Sequence, residues 1–585
     1  MPHLQNRGCH GVLLGGTRCP TYRTGVVMVY CWVGQDALPT EPGLSWCIVG
    51  WDKMPHLRTV ILGNREVIMK TTSNGRRFID CVTTFAANVS ERCRDKYSGK
   101  QTPFLTDGIN LQTGEPIKWD GHILSNVACQ QNFLRTLDGL TTLTGEPKYR
   151  RQASEWIRYS LDSLQDSASG MLYWGGHTSY DLIENKPLIG NHELKCVYPY
   201  YEFLYGVDAD VTRLFIEGLW NRHVKDWSNL LFNRHGEYTD WARENPWGHE
   251  YTGSPLPILD NAMLSFINTG SDLIYAGAIL SKLSSNELPL QWAKRLLGRY
   301  DEIRNETTGL GGYQFNHRVP CRVRMSFKEP MSEREDVNET TVITNGVIQT
   351  RYGRAALTWM NLFEILGPED GKEFLDIVSK DLTALVEHSY DADDHSFSAV
   401  LADGTKLSPE NTVEGIGYCG PVKLEKVRAN GLMFLSYAKA YRLTKDEAFM
   451  QMVRNLASGM GWGEHLDEQA TVARMIPATA EGRALPNQHA ICALFGLLEL
   501  YAATDQRSYL TLATALGTRL VETYFIDGFF TTGAEDRNGY THIDSALPLA
   551  LIHLVAATDA PECNPPTFYP NSTDFDPKVI IARRK

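Results

Sequence analysis

Between residues 174 and 251 the chain gathers a high density of side chains that can hold a metal or move a proton. Five of its 16 histidines fall there: His177, His192, His223, His235 and His249. They stand in polar, glycine-containing contexts: Trp174-Gly-Gly-His177, Gly190-Asn-His192-Glu193-Leu-Lys195, Asn221-Arg222-His223 and Asn233-Arg234-His235-Gly236. A solitary histidine is more often a packing residue than a ligand. Several imidazoles beside a carboxylate form a donor set for a divalent ion. By ligand softness that set suits Mn²⁺, Co²⁺, Ni²⁺ or Zn²⁺, and Ca²⁺ less well. The zincin pattern is absent, because Leu194, Lys195 and Cys196 follow His192-Glu193 where HExxH would require a second histidine.

Other residues nearby fit a sugar-binding cleft. Lys195 is a cation that could bind a carboxylate or serve as a base. In Gly248-His249-Glu250-Tyr251, either His249 or Tyr251 could supply a proton to a leaving oxygen. Trp174, Tyr198, Tyr200 and Tyr313 are candidate stacking platforms, since the apolar face of a pyranose packs on an aromatic ring. His192, Arg222 and His249 complete the candidate substrate-binding set.

These residues need a scaffold, and a repeated pattern describes one. Apolar residues at helical spacing run through Leu134, Leu137 and Leu140, then Leu143-Thr-Gly-Glu-Pro-Lys-Tyr149, then Ala153, Trp156 and Leu161. The pattern recurs around Leu443-Thr-Lys-Asp-Glu-Ala-Phe449 and around Ala503-Thr-Asp-Gln-Arg-Ser-Tyr509. Each time, a threonine where one helix ends precedes by five positions an aromatic that staples the next helix onto the first. Further pairs are expected over 259–299 and 354–388. Six or seven such hairpins suit an all-α (α/α) barrel, a toroid of paired helices, better than an open solenoid. The long irregular stretches 174–201, 221–251 and 309–350 are then loops that carry function. The charged run 328–339 reads as a solvated excursion, a small β-hairpin or a flap over the cleft.

Composition narrows the partners. The formal charge of −12 argues against a nucleic-acid partner, which needs a basic face. No apolar run is long enough for a membrane span. The 12 cysteines are scattered singles, as expected of thiols rather than a disulfide framework. Residues 1–53 have little periodicity, and Met54-Pro-His-Leu57 repeats Met1-Pro-His-Leu4. They are expected to be a dispensable extension. A lead-in over 54–96, a catalytic toroid over 97–560 and a tail over 561–585 follow. With no convincing signal peptide, the compartment is cytoplasmic or periplasmic.

Trp119, Gln130-Gln131-Asn132, Tyr173-Trp-Gly-Gly-His177, His192-Glu-Leu-Lys195, Tyr198-Pro-Tyr-Tyr201 and Asn233-Arg-His-Gly236 together resemble bacterial pectate lyases related to polysaccharide lyase family 2. That resemblance implies an (α/α) barrel and β-elimination on a uronic-acid oligo- or polysaccharide. It also implies a divalent metal, Mn²⁺ foremost, held by two histidines and a glutamate, with an arginine beside the second histidine as base. Residue by residue the ligands are His177, Glu193 and His235, and the base is Arg234. Arg222-His223 offers the same dipeptide, but it follows Phe215, Leu219 and Trp220 on an amphipathic helix, where His223 reads as structural. Two other readings stand beside the lyase. One is a glycoside hydrolase using a pair among Glu193, Asp226, Glu237 and Asp240; the other is a non-catalytic glycan-binding toroid.

Overall fold

The computed structural model describes residues 71–571 apart from 119–120, 239–244, 256–263, 317–320, 414–418, 464–465, 467–485, 532–540 and 542. The expected extension 1–53 and the tail beyond 571 lie outside the described residues. Fourteen helices of the described residues form the scaffold: α1 (Ser73–Arg92), α2 (Gln131–Thr144), α3 (Pro147–Leu164), α4 (Tyr201–Val207), α5 (Ala209–His223), α6 (Ile267–Ser284), α7 (Leu288–Glu302), α8 (Ala356–Asp370), α9 (Lys372–Ser389), α10 (Gly431–Thr444), α11 (Glu447–Gly459), α12 (Pro486–Thr504), α13 (Arg507–Tyr524) and α14 (Leu547–Asp559).

Two kinds of helix alternate. In α6 every residue from Ile267 to Leu280 is buried, and α14 is buried almost throughout. A helix apolar on all sides belongs inside. By contrast α3, α7, α9 and α11 each bury a single stripe, as an outer helix does. Inner helices touch in the order α4–α6–α8–α10–α12–α14–α2. Between α2 and α4 the ring is closed by side chains. Arg135 donates to Tyr198 O at 2.7 Å, Gln131 Oε1 accepts from Tyr200 N at 2.8 Å, and the Tyr200 hydroxyl donates to Asp138 at 2.8 Å. The outer partner of α14 is α1, so the last helix pairs with the first. Thr72 caps α1 and also bonds Asp559 at the end of α14. The all-α toroid therefore has seven hairpins among the described residues. The region read as a lead-in contains one of its helices, α1, whose buried stripe of Phe78, Val82, Phe85 and Val89 needs the ring to cover it.

The threonine repeat has one geometry at three sites. The hydroxyls of Thr144, Thr444 and Thr504 donate to the carbonyls of Leu140, Ala440 and Leu500, at 2.7, 2.8 and 2.7 Å. Each also accepts the amide two residues on, from Glu146, Asp446 and Gln506 at 3.2, 3.2 and 3.3 Å. The threonine therefore ends the first helix, and the residue two positions later caps the second. The residue between them is left-handed: Gly145 at φ 73°, Lys445 at φ 59° and Asp505 at φ 57°. The aromatics Tyr149, Phe449 and Tyr509 are buried as staples.

Two further features bear on the site. Residues 566–571 run along the axis of the ring. Phe568 stacks on Phe495 of α12 at 4.1 Å, and its carbonyl accepts from Asn361 of α8. Tyr569 packs against Arg135 of α2 and Tyr275 of α6, and Asn571 bonds Asp544 ahead of α14. In the second feature, the 328–339 run exposes Lys328, Glu329, Glu333, Glu335 and Asp336 to solvent, as read from the sequence, and turns Met331 and Val337 inward. Val323, Phe327, Val337, Leu401, Leu407 and Leu424 form a small core of their own, and Val342–Ile343 pairs antiparallel with Val400–Leu401.

Asp505→Gly should stabilise the protein by about 0.5–1 kcal/mol, because glycine relieves the left-handed backbone, whereas Thr444→Ala should cost about 1 kcal/mol. Denaturant midpoints measure both.

Candidate active site

The chain reaches the site by three approaches. Beyond α3 it passes Trp174, buried edge-on against Phe215 of α5, and arrives at Gly175-Gly176-His177. Gly175 is left-handed at φ 104°, and a Cβ there would sit 2.7 Å from Glu193 O. Gly176 donates to that same carbonyl at 2.7 Å. The second approach is the extended segment carrying Glu193. The third, after α5, carries Arg234 and His235. The second and third are tied by a two-bond bridge, His192 N to Gly236 O at 2.8 Å and Gly236 N to His192 O at 2.9 Å. Gly236 is required there, since a Cβ would come 2.7 Å from His223 Nε2.

At the meeting point lies Glu193, its side chain fully buried. Its carboxylate is 2.9 Å from His177 Nε2, 2.7 Å from Lys195 Nζ, 3.1 Å from Arg234 and 3.6 Å from His235 Nε2. Burial would push this carboxyl up, but the two imidazoles and the lysine outweigh it and hold Glu193 well below the usual carboxylate range. One donor atom from each of His177, Glu193 and His235 lies within 4.8 Å of the other two. Glu193 Oε2 and His235 Nε2 are both buried and lack a well-angled hydrogen-bond partner within the protein. Such atoms ask for a further ligand, and two imidazoles with one carboxylate are donors a divalent transition ion accepts.

Arg234 lies with its guanidinium 5.3 Å from the centre of the Phe266 ring. Beside it opens a cavity of about 280 Å³, whose lining includes Lys195, Arg234, Asn268, Tyr313, Glu339 and Lys423. Glu339, at the end of the excursion, and Lys423 thus reach the cleft. Neither was a candidate in the sequence, because only the fold brings them to the cavity beside Arg234.

The remaining candidates have other places. His192 is buried, with Nδ1 3.0 Å from His223 Nε2, while His223 Nδ1 lies 2.8 Å from Asn233 O. A proton on His223 Nδ1 leaves Nε2 to accept from His192 Nδ1, so the pair is a neutral brace behind the site. Burial lowers both, His223 to about 4. His192 therefore positions Glu193 and does not face a sugar. Arg222, buried on α5, sits behind that brace. Trp174 and Tyr198 are almost wholly enclosed and offer no open face, and Tyr200, partly exposed, turns its hydroxyl to Asp138. Tyr313 does line the cavity, its ring stacked 4.7 Å from Phe266. His249 stacks on Trp227 at 4.6 Å, and Tyr251 packs on Trp292 with Arg295 and Arg299. Both belong to an aromatic cluster of Trp227 with Trp292 of α7. Of the paired-carboxylate candidates, Asp226 is engaged by Ser228 and Asn229, Glu237 is exposed, and Asp240 lies outside the described residues.

Gly175→Ala should cost about 1–3 kcal/mol through its backbone conformation and the approach to Glu193. Gly248→Ala, where a Cβ meets no atom within 4 Å, should stay near neutral. Urea midpoints with far-ultraviolet circular dichroism compare the two.

The family model described as periplasmic pectate lyase matches residues 102–576. A pectate disaccharide-lyase of Dickeya dadantii (strain 3937) is 29% identical over 485 residues, 78% of this chain and 85% of that protein. Among solved structures, the α-1,2-mannosidase of Trichoderma reesei aligns with TM-score 0.47 at 10% identity, covering 82% of this chain and 93% of that one. Cellobiose 2-epimerase of Bacillus thermoamylovorans B4167 aligns with TM-score 0.42 at 11% identity, covering 82% and 98%. With most of its length matched by that family model, the chain belongs to the periplasmic pectate lyase family and is a carbon–oxygen lyase acting on polysaccharide.

Proposed function

We propose that this enzyme cleaves a pectate-like uronide by metal-dependent β-elimination, with His177, Glu193 and His235 holding the divalent ion, Mn²⁺ foremost, and Arg234 acting as the base. The observation that carries the reading is the cluster itself: one buried carboxylate facing two imidazoles, a lysine and an arginine, with one donor atom of each of His177, Glu193 and His235 within 4.8 Å of the other two.

β-Elimination removes the proton at C5 and expels the oxygen at C4. That proton is barely acidic while the neighbouring carboxylate keeps its full charge. A bound divalent cation supplies the charge withdrawal that stabilises the enediolate-like intermediate. Arg234 makes the contacts of a cation, an ion pair to Glu193 and an aromatic face at Phe266. To take up the C5 proton it has to begin neutral, so the Glu193 carboxylate must first be occupied elsewhere. Its own ligand role would do this, and a like charge nearby would act in the same direction. Lys195, on the wall of the same cavity, is placed to bind the uronate carboxylate, and Tyr313 to stack a pyranose ring. The family's description as periplasmic supports that compartment for the working enzyme, and no helix of the described residues is long and apolar enough to cross a membrane.

Ultraviolet absorbance of the unsaturated product on polygalacturonate should rise with Mn²⁺ present and stop when chelator is added. Arg234→Ala should lower turnover by about 10²–10⁴-fold with substrate still bound. His235→Ala should instead lower metal occupancy, with activity partly restored by excess metal. Near-normal turnover in both variants sinks the assignment.

A further inference from the structure

The cavity beside Arg234 is lined by cations from two separate parts of the chain. Lys195 and Arg234 belong to the loops around Glu193, and their charges face that carboxylate. Lys423 comes from the short 3₁₀ turn Pro421–Leu424. It is exposed and makes no ion pair among the described residues, in a chain of net charge −12 where carboxylates are plentiful.

Its position is fixed by the fold. The Lys423 amide donates to Gly420 O at 2.8 Å, and the carbonyl of Val422 accepts from Asn345 Nδ2 at 2.9 Å. The next residue, Leu424, is buried in the small core of the excursion. The turn is therefore anchored on both sides while the ammonium stays available. Glu339, the acidic residue of the lining, is buried and accepts from Gln314 Nε2.

We infer that Lys423 binds the carboxylate of a second uronate, adjacent to the one that undergoes elimination. The inference rests on the proposed lyase reading and deepens it. The cleft then recognises two neighbouring free carboxylates on one chain, one at Lys195, the other at Lys423. A cavity at the small end of ligand-site volumes suits a short stretch of polymer. Lys423 is a specificity residue and takes no part in proton transfer.

Steady-state kinetics of wild type, Lys423→Ala and Lys423→Arg on polygalacturonate test this, alongside the same polymer partly methyl-esterified. Lys423→Ala should raise KM on the free acid about tenfold, leave kcat within about twofold, and lose most of the wild-type preference for free acid over ester. Lys423→Arg should restore both KM and preference. Unchanged KM and ester preference in Lys423→Ala, with wild type active, overturns the role of Lys423 alone. A wild type that neither cleaves nor binds galacturonides overturns the lyase reading and this inference with it.

Discussion

The Glu193 carboxylate is the constraint around which the site is built. A fully buried negative charge is costly unless cationic and hydrogen-bonding groups surround it. Three separate stretches of chain converge to provide them. His177 arrives through two glycines, Lys195 stands two residues along the same strand, and Arg234-His235 arrives across the His192–Gly236 bridge. Removing the carboxylate would leave those groups mutually repelling, and removing the cations would leave it unpaired. The loops that look irregular in sequence are therefore as firmly determined as the helices beneath them.

The toroid serves that convergence. Inner helices buried along most of their length form a wall, and the loops that carry the site are set against it. The His192–His223 pair shows how the two levels join. His223 is the last residue of α5, and its imidazole reaches from the helix end to brace the strand that carries Glu193. One side chain thus couples helix packing to site geometry.

Much of this was legible in the sequence. The threonine–aromatic repeats at 144–149, 444–449 and 504–509 gave the hairpins because a local motif with a strong apolar period has few alternative folds. Residue type and neighbourhood pointed to a metal-capable region, the family resemblance singled out His177, Glu193 and His235 within it, and the structure brings the three together. Readings of exposure fared worse. Trp174 and Tyr198 read as sugar platforms and are enclosed by packing, since a ring's chemistry is the same in a cleft or in a core. His249 and Tyr251 were near the site in sequence and apart from it in space. Helix α1 was missed because its partner, α14, lies at the other end of the chain. Lys423 was invisible for a similar reason: its place depends on a small core assembled from residues about 80 positions apart, such as Val342 and Leu424.

The segment 566–571 changes what kind of object the ring is. With Phe568 against α12 and Tyr569 against α2 and α6, the inner helices close on the chain's own later residues instead of on an open bore. A polymer that approached along that line would meet side chains already packed to core density, so the ring offers it loops to rest on and no tunnel between these helices.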